Sequence, residues 1–162
     1  MSVHNKEIAR ILNQVADLLD IKDENQFRIR SYRNAARTIS GMSEPVSRMA
    51  GNTKKIQSLP GIGESMAEKI REISDSGHLA QLEDLKKDIP GSLIDIMKLE
   101  QVGPQRTKIL HEQLDIDTID DLRKAVEEGK VQDLEGFGKK TSDHILREIK
   151  EYEKKGGSER IK

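Results

Sequence analysis

The chain has 162 residues, of which 34% are hydrophobic and 35% are charged, and its formal net charge is -1. A chain of this length can bury one ordinary core or two small ones, which excludes a large enzyme. It contains no Cys and no Trp, so disulfide frameworks, thiolate metal sites and an aromatic base-stacking surface are not expected. Four scattered His residues do not suggest a zinc cluster.

No apolar stretch reaches the roughly 20 residues of a membrane span. The opening residues, MSVHNKEIAR, do not have the pattern of a secretion signal. We therefore expect a cytoplasmic protein that has no membrane partner, and we expect it to be a monomer.

Apolar residues at helical spacing predict helices in the first half of the chain, with Asn5 as the cap of the first. These helices are predicted over residues 5–20, 26–40, 45–50 and 64–74. The second helix turns Arg30, Arg33 and Arg37 onto one outer face, next to its apolar face. The four short helices form a predicted first domain over residues 1–90, with a connecting helix over 79–87 at its end.

The second half of the chain is predicted to be a separate domain over residues 91–154, followed by a flexible tail over 155–162. Its helices are expected over residues 92–98, 104–113, 118–127, 131–134 and 139–154. No segment has strand alternation long enough to build a sheet, so the predicted fold class is all-α.

Positive charge is concentrated in residues 22–55, which contain eight Lys or Arg against three acidic residues. Such a segment is a candidate for phosphate contact, and an ordinary solvated helix face is the alternative. For contact with phosphate, the distribution of charge along the chain matters more than the net charge.

Three segments share one local pattern, in which a short helix is followed by a glycine turn and a longer amphipathic helix. They are Ser-Leu-Pro-Gly-Ile-Gly at 58–63, Leu-Glu-Gln-Val-Gly-Pro at 99–104 and Leu-Glu-Gly-Phe-Gly-Lys at 134–139. In each, a leucine stands three residues before an apolar residue that is expected to pack between the two helices. Glycine permits the positive φ and the close backbone approach that such a turn needs.

This pattern is a helix-hairpin-helix, and it predicts helix N-termini whose free N–H groups bind phosphate oxygens. The predicted contacts are Gly61, Gly63, Gly103, Gly136, Gly138, Lys139 and Lys140. The middle copy departs from the pattern, because Gln101 stands where the first glycine is expected. Such contacts carry little base information, so binding should depend on DNA structure and salt rather than on sequence.

The residues Phe-Arg-Ile-Arg-Ser-Tyr-Arg-Asn-Ala-Ala at 27–36, Leu-Pro-Gly-Ile-Gly at 59–63 and Ala-Glu-Lys-Ile at 67–70 resemble the amino-terminal part of family X DNA polymerases. The resemblance covers about residues 5–150. It implies a lyase-type domain that binds the 5'-phosphate side of a gap through Arg28, Tyr32 and Arg33, followed by a tandem of hairpins. It also implies a monovalent cation, Na+ or K+, on the backbone carbonyls of Leu59, Ile62, Leu99 and Val102, with no required cofactor.

The same resemblance makes Lys69 the candidate catalytic nucleophile of a 5'-deoxyribose-phosphate lyase. On a helical wheel Lys69 borders Met66, Ile70 and Ile73, and apolar surroundings favour the uncharged, nucleophilic amine. The alternative is a surface lysine paired with a neighbouring glutamate. Four positions where active members of the family carry lysines hold Arg28, Gln57, Ser65 and Gln81 instead.

Together these features predict a protein that binds gapped, nicked or 5'-phosphorylated DNA in base excision or gap repair, with other repair proteins as further partners. The sequence includes no carboxylate constellation on a nucleotidyl-transferase sheet, so the chain is not a polymerase by itself. An active lyase and a protein-interaction scaffold built on the hairpins are the alternatives.

Overall fold

The computed structural model describes residues 3–22, 24–49, 51–89 and 91–155. Within these ranges the chain forms nine α-helices and one short 3-10 helix, and no β-strand, so the predicted all-α class is confirmed. The helices are α1 (Asn5–Ile21), α2 (Gln26–Ser40), α3 (Thr53–Gln57), α4 (Glu64–Ser76), α5 (Ala80–Asp88), α6 (Gly91–Met97), α7 (Gly103–Leu114), α8 (Ile119–Glu127) and α9 (Gly138–Lys154). The 3-10 helix spans Val46–Met49.

The chain divides into two compact units, residues 1–88 and residues 89–162. The first unit contains α1 to α5, and the second contains α6 to α9. The sequence prediction had placed this division near residue 90, a position that itself lies outside the described residues. The predicted flexible tail lies outside them as well, apart from Lys155.

The core of the first unit is built on the pairing of α1 with α2, to which α3, α4 and α5 add apolar side chains. Its fully buried residues include Leu12, Leu18, Ile39, Ile70 and Ile73. The bounds of α2 follow from local chemistry, because the Asn25 side chain accepts the N–H of Phe27 at 2.7 Å and caps the helix. This core fixes the outer face of α2, from which the basic side chains project.

The core of the second unit is also aliphatic. Leu93 and Ile96 of α6, Leu110 of α7 and Ile145 of α9 are all buried. Thr118 caps α8 by accepting the N–H of Asp121 at 3.0 Å. None of the described helices is both long enough and apolar enough to cross a bilayer.

Asn5 does not cap α1, contrary to the prediction, because the cap position is His4 and no side chain caps the helix there. Asn5 instead joins α1 to the segment before the 3-10 helix. Its amide nitrogen donates to the carbonyl of Glu44 at 2.9 Å, and its oxygen accepts the N–H of Val46 at 2.9 Å. Sequence distance hides this contact, since the partners are about 40 residues away.

Two short predicted helices were wrong and one helix was missed. Val46–Met49 forms a 3-10 helix in place of the α-helix predicted over residues 45–50, of which Ala50 lies outside the described residues. Residues 131–134 form turns. The missed helix is α3, which begins because Asn52 accepts the N–H of Lys55.

We predict that Asn5→Ala lowers the free energy of unfolding by about 1–3 kcal/mol, because it leaves the buried N–H of Val46 without a partner. Urea unfolding followed by circular dichroism measures the change. Asn13→Ala is the control, because Asn13 is an exposed asparagine of the same helix. Equal stability of the two variants would contradict this role of Asn5.

Candidate phosphate-binding surface

The three predicted hairpins have the same hydrogen bond across their corners. In each, the N–H of the central apolar residue donates to the carbonyl of the leucine three positions earlier. The pairs are Ile62 to Leu59 at 3.2 Å, Val102 to Leu99 at 3.1 Å and Phe137 to Leu134 at 3.1 Å. The central side chains are buried, so the core anchors each corner from beneath.

The residue before each central side chain has a left-handed backbone. Gly61 has φ 75°, Gln101 has φ 76° and Gly136 has φ 86°. Gln101 therefore adopts the conformation that glycine adopts in the other two corners, at the energetic cost that a side chain brings there. The second and third corners also share a positive φ at Gly103 and Gly138, whereas Gly63 of the first corner has φ -90°.

The three helices that follow the corners, α4, α7 and α9, have no side-chain cap. Their cap residues are Gly63, Val102 and Phe137, and none provides a capping oxygen. By contrast, side chains cap α2, α3 and α8. The cap residues of the three hairpin helices therefore accept none of the first N–H groups, and an outside acceptor would meet the positive end of each helix dipole there. In α7, Pro104 contributes no N–H.

The corners are also sterically open. A Cβ atom added to any of their glycines would meet no atom of the described structure within 4 Å. These glycines are Gly61, Gly63, Gly103, Gly136 and Gly138. An anion can therefore approach the backbone at each corner without displacing protein atoms.

In the first unit, the first corner lies in a cleft of about 460 Å³ that contains most of the residues predicted there. Its lining residues are Arg28, Ser31, Tyr32, Gly61, Gly63, Glu64, Ser65, Met66 and Lys69. The N-terminus of α4, a guanidinium and an amine thus meet in one concave site. A phosphate with an attached sugar has the chemistry to match it.

The polar groups of this cleft have identifiable partners. The Tyr32 hydroxyl donates to Gln81 Oε1 at 2.7 Å, and the Lys69 amine donates to the Ser65 hydroxyl at 2.9 Å. Arg28 contacts the exposed Glu24 at 3.1 Å, a surface pair of little energetic value. Among the described residues no carboxylate forms an ion pair with Lys69. The alternative in which Lys69 pairs with a neighbouring glutamate therefore does not describe this structure.

Arg33 lies outside the cleft, although it was predicted with Arg28 and Tyr32. Its guanidinium contacts the Asp17 carboxylate of α1 at 2.7 Å, in a partly buried pair. Arg33 therefore connects α1 to α2 and lines a different depression, together with Arg37.

In the second unit, one arginine ties the second and third corners together. Arg106 of α7 donates to the carbonyls of Gln101 and Gly136, and its guanidinium lies 5.3 Å from the centre of the Phe137 ring. Lys139 and Lys140, in the first turn of α9, are exposed beside the third corner. The pair of corners therefore has cations next to its open N–H groups.

The four carbonyls predicted to bind a monovalent cation lie at the first two corners. Those of Leu59 and Leu99 each accept one corner hydrogen bond, and a carbonyl oxygen has a second lone pair. A Na+ or K+ ion at these carbonyls stays a prediction.

Sequence reasoning missed Phe27, the one large hydrophobic residue that is exposed in the described part of the chain, at 74%. It precedes Arg28 in the first turn of α2. Its position on the helix could have indicated this exposure, because Phe27 does not share the helical face of Ile29, Tyr32 and Ala36.

Comparison with known proteins agrees with these geometric observations. Residues 3–79 match the family described as a helix-hairpin-helix domain, and residues 93–151 match the SAM-like helix-hairpin-helix tandem. The DNA polymerase/3'-5' exonuclease PolX of Bacillus subtilis is 33% identical over 149 residues, which are 92% of this chain and 25% of that protein. This sequence is related to the amino-terminal region of family X DNA polymerases.

A more distant relative is DNA polymerase lambda of Rattus norvegicus, which is 30% identical over 87 residues, or 54% of this chain and 14% of that protein. The chain thus spans about a quarter or less of the length of these relatives. The expected resemblance to family X is confirmed, and both hairpin regions found by geometry coincide with recognised helix-hairpin-helix families.

The strain at the second corner can be measured with a matched pair of variants. We predict that Gln101→Gly raises the free energy of unfolding by about 0.5–1 kcal/mol, because the relief of left-handed strain exceeds the added flexibility of the unfolded chain. Gly136→Ala should lower it by about 1–2 kcal/mol, since no steric clash opposes its Cβ and only backbone strain remains. Urea unfolding tests both, and a reversed order would show that these corners are not left-handed.

Proposed function

We propose that the chain binds DNA through its sugar-phosphate backbone, and that it prefers gapped, nicked or 5'-phosphorylated DNA in base excision or gap repair. The observation that carries the proposal is the set of three open corners, each followed by a helix without a side-chain cap. The relationship to DNA polymerases of family X supports it.

Each corner offers the chemistry of a phosphate site. Backbone N–H groups at a helix N-terminus donate to phosphate oxygens, and the helix dipole favours the negative charge. These donors read the regular spacing of the backbone and not the bases, so the proposed binding is independent of sequence.

The cleft of the first unit is the proposed site of a terminal 5'-phosphate. Arg28 can exchange its exposed partner Glu24 for a doubly charged phosphate, which its planar guanidinium binds through two hydrogen bonds. Phe27 provides an exposed ring next to this site, and such a ring can stack on an unpaired base. A DNA strand end with an exposed base offers a terminal phosphate to Arg28 and a base to Phe27. Intact duplex DNA offers neither group.

The central test is fluorescence anisotropy with gapped, nicked and intact duplexes across a salt series. Binding should be tightest for gapped DNA with a 5'-phosphate and should weaken steeply as salt rises. The double substitution Lys139→Ala and Lys140→Ala should make the negative slope of log K against log salt shallower by about 1.8, since each phosphate contact contributes about -0.9.

The matched control substitutes Lys150→Ala and Lys154→Ala, which remove two exposed lysines from later turns of the same helix. This control should keep the slope of the unmodified chain. Absence of binding at low salt, or binding that ignores salt, would overturn the proposal in favour of a protein-interaction scaffold.

A second candidate function is 5'-deoxyribose-phosphate lyase activity, which is favoured by the position of Lys69 in the phosphate cleft. The Lys69 amine would attack the C1' aldehyde of an incised abasic site and form an imine with loss of water. Removal of a C2' proton would then break the C3'–O bond and leave the phosphate on the downstream DNA. In its described surroundings the Lys69 amine forms no ion pair with a carboxylate, and its partner is the neutral Ser65 hydroxyl, which it can exchange for the substrate.

Borohydride trapping tests this second candidate. The reagent should reduce the imine to a stable secondary amine that joins the chain to incised abasic DNA. Lys69→Arg should retain DNA binding and lose the adduct, because arginine keeps the charge but forms no such imine. Lys54→Ala should retain the adduct. An adduct that survives in Lys69→Arg, or no adduct with the unmodified chain, would exclude Lys69 as the nucleophile.

A further inference from the structure

We propose that Glu100, His144 and Glu148 form a binding site for one divalent transition-metal ion of the Zn2+ type. One ligand atom from each side chain lies within 4.8 Å of the others. His144 and Glu148 are four residues apart on α9 and therefore share a helical face. Glu100 comes from the loop of the second corner.

The strongest sign of a ligand is the Nε2 atom of His144. This atom is buried and has no hydrogen-bond partner among the described residues. It lies 3.9 Å from Oε1 of Glu100, too far for a hydrogen bond. Burial of a polar atom without a partner is unfavourable, and a metal ion between the imidazole and the carboxylates would give Nε2 a partner.

Small side-chain movements would complete the site. Ligand atoms around a tetrahedral Zn2+ are about 3.3–3.6 Å apart, given metal–ligand bonds of about 2.0–2.2 Å. Glu100 can supply the movement, because its side chain is 69% exposed. Glu148 is already oriented, since its Oε1 accepts the backbone N–H of Glu100 at 3.3 Å. Three protein ligands leave the fourth position for water.

Arg147 competes with the ion for the ring of His144, so removal of Arg147 should change the zinc affinity. Its guanidinium lies 3.2 Å from Nδ1 of His144, and because arginine can only donate, Nδ1 is the acceptor and Nε2 carries the proton. Metal binding through Nε2 requires the proton on Nδ1, so Arg147 must release the ring. Arg147 is exposed and can do so.

The bound ion would fasten the second corner to α9. Because it binds the folded chain, it should also stabilise the second unit against unfolding. This site could not be predicted from the sequence, because only one of its ligands is a histidine and Glu100 is 44 residues away from it along the chain.

Isothermal titration of the full chain with ZnCl2 tests the proposal. One ion should bind per chain, and His144→Ala, Glu100→Gln and Glu148→Gln should each weaken binding at least tenfold. His78→Ala and Glu151→Gln are the controls, because both residues are exposed and lie outside the cluster. Circular dichroism is the control that each variant keeps its helices. If another variant does not fold, Glu100→Gln decides the test, because it is an isosteric change of an exposed side chain.

A second pair of variants tests the role assigned to Nε2. Arg147→Ala should tighten zinc binding at least threefold more than Lys150→Ala, which removes an equal charge from the same helix. Long-range proton–nitrogen NMR should show the metal-induced shift at Nε2 of His144. Equal zinc affinity of His144→Ala and His78→Ala, or no gain in Arg147→Ala relative to Lys150→Ala, would overturn the proposed site.

Discussion

The structure depends on one backbone constraint, the left-handed residue at each hairpin corner. That residue reverses the chain so that the next side chain, Ile62, Val102 or Phe137, enters the core. The following helix then begins beside sterically open glycines and without a side-chain cap. Burial of the apolar side chain and an open, uncapped helix N-terminus are therefore two results of the same turn.

The second corner shows that the chain maintains this conformation even without the first glycine. Gln101 has nearly the same φ as Gly61, and Arg106 donates a hydrogen bond to its carbonyl. A residue that holds an unfavourable conformation is maintained by its surroundings, and here those surroundings are a hydrogen bond and a buried valine. The neighbouring zinc-type site would add a third restraint on the same loop.

Helices whose limits are encoded locally could be predicted from the sequence. The apolar face predicted α2 over residues 26–40, and the structure has the same bounds, with Asn25 as the cap of the helix. The predicted cap at Asn5 and the helix over 131–134 were wrong. Asn5 bonds to Glu44 and Val46, far away in sequence, and local propensity carries no information about such a contact.

The same distinction applies to the candidate site. The corners could be predicted because glycine spacing is a local property, and Arg28, Tyr32 and Lys69 followed from a family resemblance. The structure places those three in one cleft. The pairing of Arg33 with Asp17 and the approach of Glu100 to His144 both require the folded chain, so the sequence could not reveal them.

The most direct test of the central claim is an amide proton–nitrogen NMR titration with gapped DNA that carries a 5'-phosphate. The account predicts that the largest amide shifts fall in the first turns of α4, α7 and α9, with those of α2, α3 and α8 nearly unchanged. Shifts confined to lysine and arginine side chains, with the corner amides unaffected, would contradict it.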